Sequence, residues 1–426
     1  MRSVRLASLD YRRVRALFIV LASQSSEKVR SMKIHYDPTD PAQVDDHEPV
    51  LARLRREAPV SELKPGLFYL ARYKDVIDVC RDPDTFRQGR HIPRDLDTRT
   101  EERLNLGETD PPQHTRVRKV LASLLSPSKI SALEPSIRNI CEGLVDEFAG
   151  RGTADIIAEL AAPMPAAVIG SLSGMPEQYR AQIMAYTAAY MLRTDPDVSK
   201  TRVANAVVAE LDAVIRDVIR QRRASSSRPD DVLSWLIESQ DADGRPLSED
   251  KILAHMTKDV IVGGTETTKH LIGNLFFNLC STPGAYERVR ADRSLVPVAI
   301  EETLRTNGPA QIVFRVPARD VEIRGCPIPA GSTVALGFAS ANHDEDVFEN
   351  PEVFRLDRRK VNTKPHLGFG HGIHLCVGAA LARTETTCAL NAVLDRIPRM
   401  ELVPGFRYQR VKFFIMRGPE KLDVRF

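Results

Sequence analysis

One cysteine stands in a setting suited to a metal ligand. Residues 369–378 read FGHGIHLCVG, and a helix-forming stretch follows at 379–383. The three glycines permit a tight turn with positive φ angles and close backbone approach. A cysteine just before a helix N-terminus meets exposed N–H groups and a favourable dipole, and both favour the thiolate. A thiolate that holds iron needs these same conditions, in which Phe369 would shield the sulfur of Cys376 and Gly378 would leave room for a flat macrocycle.

Two other roles for this cysteine are a structural thiol on a glycine turn and a zinc ligand. Zinc is the weaker alternative, because no second cysteine lies within ligand spacing of Cys376. The remaining cysteines show no CxxC spacing and read as ordinary buried thiols; they are Cys80, Cys141, Cys280, Cys326 and Cys388. This usage predicts a reducing cytoplasm and no disulfide framework.

A second string could handle protons. Residues 263–268 read GGTETT in the middle of a long helical pattern. Glycines there cost about 1 kcal/mol each, so the helix gives up stability at its centre, which indicates a local distortion. The adjacent acid and alcohol, Glu266 and Thr267, have the groups needed to deliver protons to bound dioxygen. The alternative is a small-residue crossing where another helix packs closely.

Four basic residues lie on three predicted elements. His114 and Arg118 lie one turn apart on a predicted helix, Arg315 lies on a predicted strand, and His374 comes two residues before the cysteine. Taken singly, each is an ordinary surface cation.

The elements that carry these residues are mainly helical. Helices dominate from 110 to 282, and the longest is predicted from an N-cap at Ser248 to the residue before Pro283. Short strands are predicted at 312–316, 321–323 and 334–336, a hairpin at 413–426, and a long loop at 89–107. Glu302 and Arg305, three apart on a helix, can form an ion pair. No alternating βαβ series is present, so the fold class is mainly α with small β-sheets.

Together these motifs resemble the cytochrome P450 family. The cysteine string resembles its haem-binding signature, whose thiolate ligation is a known family property. GGTETT resembles its oxygen-activation motif, with Gly263 where alanine is commoner. Glu302 and Arg305 match its Glu-x-x-Arg element, but Val353 stands where a third, basic member is expected, which leaves Arg355 and Arg358 as candidates.

The resemblance implies a single haem domain over 32–426, with haem b enclosed between the long central helix and the helix after the cysteine loop. It implies a soluble, bacterial-type monooxygenase that inserts one atom of O2 into a mainly apolar small molecule. Cys376 would ligate the iron, and Glu266 and Thr267 would deliver protons. Phe369 and Gly378 would line the haem, while the propionates would bind His114, Arg118, Arg315 and His374.

Electrons must come from another protein, because the chain has no flavin, nicotinamide or iron–sulfur fingerprint. We expect a ferredoxin with a separate reductase, docked at Arg116, Arg118 and Lys119. Two alternatives remain: a peroxygenase, which the intact Glu266–Thr267 pair disfavours, and a haem sensor or carrier without turnover.

The substrate is less defined by sequence. Family position predicts a pocket lined by 89–106, Val260, Gly263, 309–313 and 413–415. Apolar residues dominate much of it, whereas the loop contributes several basic side chains: Arg90, His91, Arg94 and Arg99. An apolar molecule carrying a carboxylate would use both.

Bulk charge excludes some partners. The net charge of +3 is too small to indicate nucleic acid binding. Residues 1–31 hold seven basic and two acidic side chains and form a basic extension outside the resemblance, with a membrane-surface role left open. The apolar run at 16–22 is far shorter than the roughly 20 residues of a transmembrane helix.

Overall fold

A computed structural model describes residues 46–89, 103–180, 182–192, 198–241, 243–358 and 365–426, together with 34–37, 40 and 43. The predictions for the extension at 1–31 and for the basic side chains between 90 and 102 lie outside the described residues.

The first half of the chain is mostly helical, as predicted. Its helices are α1 (Glu48–Glu57), α2 (Tyr73–Arg81), α3 (Gln113–Leu124), α4 (Pro127–Phe148), α5 (Pro163–Leu172), α6 (Glu177–Arg180), α7 (Gln182–Met191), α8 (Val198–Ala224) and α9 (Val232–Glu238). Its strands are β1 (Val60–Lys64), β2 (Leu67–Leu70), β3 (Phe86–Gln88) and β4 (Thr153–Asp155).

The second half adds the remaining strands between helices. Its helices are α10 (Glu249–Ala254), α11 (Gly263–Ser281), α12 (Ala285–Ala291), α13 (Val296–Thr306), α14 (Phe338–Asn342) and α15 (Ala379–Arg396). Its strands are β5 (Ile312–Pro317), β6 (Val321–Ile323), β7 (Cys326–Ile328), β8 (Thr333–Gly337), β9 (Glu401–Leu402) and β10 (Asp423–Arg425).

The central helix, residues 249–281, runs through the protein as predicted. Ser248 caps it, since its hydroxyl accepts a hydrogen bond from the N–H of Lys251. Between α10 and α11 the segment His255–Val262 is π-helical, and it ends directly before Gly263. The predicted distortion is therefore present, on the N-terminal side of the two glycines. Nine predicted apolar positions lie in the main core: Ile252, Leu253, Met256, Val260, Ile261, Leu271, Ile272, Leu275 and Leu279.

A five-stranded sheet in the order β1-β2-β8-β5-β3 lies beside the helical core. β2 and β8 pair in parallel, and the other neighbours are antiparallel. Alternate side chains enter two apolar clusters, with Phe68 and Leu70 packed near α2 and Tyr69 near α1. The sheet thereby positions β5, the strand that carries Arg315.

The hairpin predicted at 413–426 around Gly418–Pro419 is wrong in its position. A local antiparallel bridge joins Arg410 to Pro419, so the chain turns before Gly418 and not at it. Met416 forms a bridge with Ala310, and β10 pairs with β4 and β9, which are partners that the turn signal does not predict.

All six cysteines are free thiols, in agreement with the absence of a disulfide framework. Among the helices that the structure describes, none combines the length and apolar character required to cross a membrane.

Candidate active site

The cysteine loop, residues 369–378, folds back on itself before α15. The N–H of Cys376 donates to the carbonyl of Phe369 at 2.8 Å, and Gly378 is the N-cap residue of the helix. Gly370 and Gly372 have φ angles of 75° and 71°. A Cβ at Gly372 would also collide with the carbonyl oxygen of Cys80 in α2. These two glycines are therefore required by the turn, whereas Gly378 has a negative φ.

The sulfur of Cys376 lies on the wall of a recess. Its side chain is accessible to solvent, yet enough protein surrounds it that desolvation raises the pKa of the thiol. The N–H of Gly378 and the charges of Arg118 and Arg383 lower this pKa but do not outweigh burial. The N–H of Gly378 thus acts in the direction predicted from sequence, burial acts against it, and a cation at the sulfur would favour the thiolate.

Phe369 is fixed by a cationic neighbour. The guanidinium carbon of Arg383 lies 4.5 Å from the centre of its ring. Arg383 in turn donates to both oxygens of Glu301, at 2.6 and 2.9 Å. The ring is therefore held beside the loop by a chain that reaches helix α13.

The two glycines of α11 serve different purposes. A Cβ at Gly264 would collide with Ile169 of α5, so this glycine permits close helix packing. Gly263 is exposed although Ile261 and Val262 before it are buried, which indicates an open space beside the helix. The small-residue crossing weighed from sequence is thus present, next to a site that remains accessible.

The side chains of Glu266 and Thr267 have separate partners. The Thr267 hydroxyl donates to the carbonyl of Gly263 at 2.7 Å, and Thr265 makes the equivalent bond to Ile261. Glu266 is buried, and its Oε2 accepts from Nζ of Lys269 at 2.5 Å. Lys269 was missed from sequence, although its i, i+3 spacing from an acid on one helix was a signal.

A second carboxyl was also missed. Glu385 of α15 is 1% exposed, and its side chain hydrogen-bonds to Thr268, next to Thr267. Desolvation raises its pKa well above the usual value, and the threonine bond opposes this only in part. Burial therefore favours the protonated form of Glu385, which lies against the helix that carries Glu266 and Thr267.

The four predicted carboxylate partners lie in three elements. His114 and Arg118 share α3, and the ring of His114 lies 4.1 Å from that of His374 in the cysteine loop. Both ring nitrogens of His114 are buried without a hydrogen-bond partner among the described residues. Arg315 is 6% exposed, and its hydrogen bonds go to the neutral oxygens of Gln88 and Phe314.

These features fit haem. In the part of the chain that the structure describes, buried Arg315 and buried His114 have no carboxylate partner, which is costly, and the two propionates of haem would supply the missing acceptors. Burial, and secondarily the charge of Arg118, lowers the pKa of His114 to about 4, so this histidine would bind as a neutral donor. Cys376 and Gly263, on the two elements that are expected to flank the cofactor, are both accessible to solvent.

The Glu-x-x-Arg element gains its third member in the structure. Arg305 binds both oxygens of Glu302, at 3.0 and 2.8 Å, and both residues are buried. Nε of Arg358 lies 2.9 Å from each of the same oxygens. Arg355 contributes its backbone N–H at 3.2 Å, while its side chain pairs with Asp357.

The predicted docking cations lie on α3, which also carries His114. Arg116 and Lys119 are exposed, and Arg118 is half-buried. Arg116 also donates to the carbonyl of Asp241. The charge of Arg118 lowers the pKa of the Cys376 thiol, so α3 and the cysteine loop interact electrostatically.

Comparison with known proteins gives one consistent result. The family model described as Cytochrome P450 matches residues 64–398. The chain is 36% identical over 366 residues to cytochrome P450 monooxygenase PikC of Streptomyces venezuelae, covering 84% of this chain and 85% of the relative. It is 34% identical over 383 residues to cyclomarin C epoxidase CymV of Salinispora arenicola, an alignment that covers 88% of this chain and 95% of the relative.

Solved structures agree. The crystal structure of P450BioI in complex with an acyl carrier protein ligated to hexadec-9Z-enoic acid has a TM-score of 0.81 and 26% identity. The alignment covers 90% of this chain and 99% of that one.

Proposed function

The chain belongs to the cytochrome P450 family and is a monooxygenase of that family, and from this premise we propose the reaction in detail. One atom of O2 enters a C–H or C=C bond of a mainly apolar small molecule. The other atom leaves as water, with two electrons from an external donor and two protons. The paired residues Glu266 and Thr267 favour this reaction over direct use of peroxide.

The family binds haem, and we propose that this chain holds haem b through Cys376. His114, Arg118, Arg315 and His374 would bind the propionates, and Phe369 and Gly378 would line the sulfur side. The bound cofactor supplies the cleavage of dioxygen, for which thiolate ligation is the suited electronic environment. The protein supplies orientation and excludes water.

Proton delivery is assigned to the central helix. Thr267 presents its hydroxyl beside Gly263, and Glu266 is the acid next to it. Lys269 holds the Glu266 carboxylate in place at 2.5 Å. Glu385, whose pKa is raised by burial and whose side chain is bonded to Thr268, is proposed as a further proton donor. General acid groups of this kind contribute about 10²- to 10⁴-fold to rates.

Electrons are proposed to come from a ferredoxin served by a separate reductase. The basic side chains Arg116, Arg118 and Lys119 would attract an acidic partner, with an association rate that falls as salt increases. Exchange of Arg116 or Lys119 for glutamate should slow reduction by the ferredoxin. An unchanged reduction rate would exclude this docking face.

The substrate is proposed to be apolar in its main part. Ile312, Phe314 and Phe414 are apolar residues near the predicted pocket, with the two rings 6.2 Å apart. The relatives named above point to varied small molecules, one as an epoxidase and one crystallised with a carrier-bound fatty acid. A carboxylate on the substrate and a cytoplasmic location both remain predictions from sequence.

The observation that carries the proposal is the solvent-accessible Cys376 just before α15, together with His114 and Arg315, which have no carboxylate partner among the described residues. The test is the absorption spectrum of the dithionite-reduced protein under carbon monoxide. We expect the Soret band of thiolate-ligated haem, which is lost in Cys376→Ala and Cys376→His. Cys388→Ala, which removes a buried free thiol within α15, is the matched control and should keep the band. Folded protein that binds no haem would exclude the proposal.

A further inference from the structure

Three side chains with metal-binding atoms converge beside α1, away from the cysteine loop. They are Glu48 at the start of α1, His343 directly after α14, and Glu352 in the following segment. One carboxylate oxygen of each glutamate and one ring nitrogen of the histidine lie within 4.8 Å of one another. Elements distant in sequence thus bring together one nitrogen and two oxygen donors.

The histidine is held in the tautomer that a metal requires. His343 is 3% exposed, and its Nδ1 lies 2.9 Å from the carbonyl oxygen of Ala339. Because a carbonyl can only accept, Nδ1 carries a proton, and Nε2 is the ring nitrogen left to face the carboxylates. Nε2 lies 3.9 Å from Oε2 of Glu352, which is beyond hydrogen-bond distance. A buried ring nitrogen therefore faces a carboxylate without a hydrogen bond between them.

Each glutamate uses one oxygen for an arginine. Oε1 of Glu48 lies 3.2 Å from Arg417, and Oε1 of Glu352 lies 3.4 Å from Arg55. Oε2 of Glu48 is buried without a hydrogen-bond partner in the part of the chain that the structure describes. The arginines thus orient the carboxylates and leave Oε2 of Glu48 in need of a partner, which is a cost that a cation would remove.

We propose that Glu48, His343 and Glu352 form a zinc site. One histidine nitrogen and two carboxylate oxygens are ligands that Zn²⁺ accepts, with water completing four-coordination. A carbonyl bonded to the opposite ring nitrogen is the usual support of a ligating histidine. Bond lengths of about 2.0–2.2 Å require the three atoms to move closer. Glu352 can supply this movement, since its side chain is 52% exposed.

The site would join α1 to the segment behind the cysteine loop. Glu352 lies between Pro351 and Val353, whose carbonyl oxygens accept hydrogen bonds from Arg305. Zinc would therefore connect the N-terminal helix to the Glu302–Arg305–Arg358 network. Its role would be structural, because none of the three ligands belongs to the proposed haem site or proton path.

The test is a calorimetric titration of the chelator-washed holoprotein with ZnCl2, followed by thermal unfolding with and without the metal. We expect saturable binding of one equivalent and a higher unfolding temperature with Zn²⁺. His343→Gln should remove both effects. Glu352→Gln should weaken binding at least tenfold, and this exposed substitution should leave the fold intact. The haem spectrum should not change.

Two matched variants control for adventitious binding. Glu349→Gln removes an exposed carboxylate three residues before Glu352, and His35→Gln removes an exposed histidine. Both should bind Zn²⁺ like the parent protein. The proposal is overturned if the parent shows no saturable binding, or if His343→Gln and Glu352→Gln bind as tightly as the parent. In the second case the metal binds elsewhere, and His343 serves as an ion-pair partner of the glutamates.

Discussion

Nζ of Lys269 lies 2.5 Å from Oε2 of Glu266, one turn further along the central helix. Both side chains are largely buried, with 18% and 6% exposed. His270 lies on the same side, its Nε2 3.6 Å from the same oxygen. Removal of one partner from a buried ion pair leaves an uncompensated charge, so the position of Glu266 depends on Lys269.

We predict that Lys269→Met lowers kcat by about five- to tenfold, a part of the 10²- to 10⁴-fold effect of a general acid. KM should change less than twofold, because the lysine orients the acid and does not contact substrate. The share of electrons lost to hydrogen peroxide should increase. Steady-state turnover with simultaneous peroxide measurement provides the check.

Lys258→Met is the matched control for this variant. Lys258 lies on the same helix and pairs with a different buried acid, Glu108, at 3.6 Å. Lys269→Arg should restore most of the turnover because it keeps the charge. Equal losses in Lys258→Met and Lys269→Met would mean that the helix, and not the position of Glu266, is affected.

Glu385 should make stability depend on pH. Its pKa is raised by burial in the folded state, so above its ordinary pKa the folded protein keeps a proton that the unfolded chain releases. The free energy of unfolding therefore falls as pH rises towards the folded-state pKa, by up to about 1.4 kcal/mol per pH unit. Glu385→Gln cannot ionise and should lack this contribution.

Urea unfolding at pH 5, 6, 7 and 8 tests this prediction. The stability of Glu385→Gln relative to the parent protein should increase steadily with pH. Glu147→Gln, in an exposed position of α4, is the control, and its free energy of unfolding should change with pH as that of the parent does. If the free energy of unfolding of Glu385→Gln changes with pH as that of the parent does, the raised pKa of Glu385 in the folded protein is contradicted.

The elements that carry the candidate residues were predictable because their signals are local. Ser248 as N-cap, the helix that carries His114 and Arg118, and the turn before α15 each follow from residues that are neighbours in sequence. Apolar periodicity also identified the central helix, since 3.6-residue spacing continues over many turns. Composition and spacing sufficed wherever the deciding contacts lie within a few residues.

Contacts between residues that are distant in sequence could not be predicted from composition and spacing. The pairing of β10 with β4 joins residues more than 260 positions apart, and it overrode the turn signal at Gly418. The partner of Glu385 lies on another helix, and the thiol pKa of Cys376 is decided by packing around the loop. Such contacts depend on the assembled core, for which a single sequence carries no local pattern.

Arg358 and Arg355 offer a contrast within one network. Nε of Arg358 contacts both oxygens of Glu302 at 2.9 Å, whereas the side chain of Arg355 pairs with exposed Asp357. We predict that Arg358→Ala lowers the free energy of unfolding by about 1.5–3 kcal/mol, the range for a hydrogen bond to a charged group. Arg355→Ala should cost about 0.5 kcal/mol or less, because its backbone N–H remains.

Urea unfolding of the two holoproteins measures this difference, and the midpoint should fall further in Arg358→Ala than in Arg355→Ala. Haem loss should also be faster in Arg358→Ala, since the network lies behind the cysteine loop. Equal effects of the two substitutions would contradict the assignment of Arg358 as the third member of the Glu302–Arg305 pair.

His114 should have opposite effects on the apoprotein and on haem binding. Both of its ring nitrogens are buried without a hydrogen-bond partner among the described residues, and burial lowers its pKa to about 4. Replacement of an unsatisfied buried polar ring by an apolar one is neutral or stabilising. We therefore predict that His114→Phe leaves the apoprotein as stable as the parent, or more stable by about 1 kcal/mol.

Haem, in contrast, should be held less tightly by His114→Phe than by the parent protein. If His114 donates to a propionate, loss of this charge-assisted bond costs about 1.5–3 kcal/mol, which corresponds to haem dissociation at least about tenfold faster. Transfer of haem to an excess of apomyoglobin measures the rate of haem dissociation. Urea unfolding of the apoprotein measures the change in its stability. A variant that is destabilised without haem, or that retains haem like the parent, would show that His114 is a packing residue and not a ligand of the cofactor.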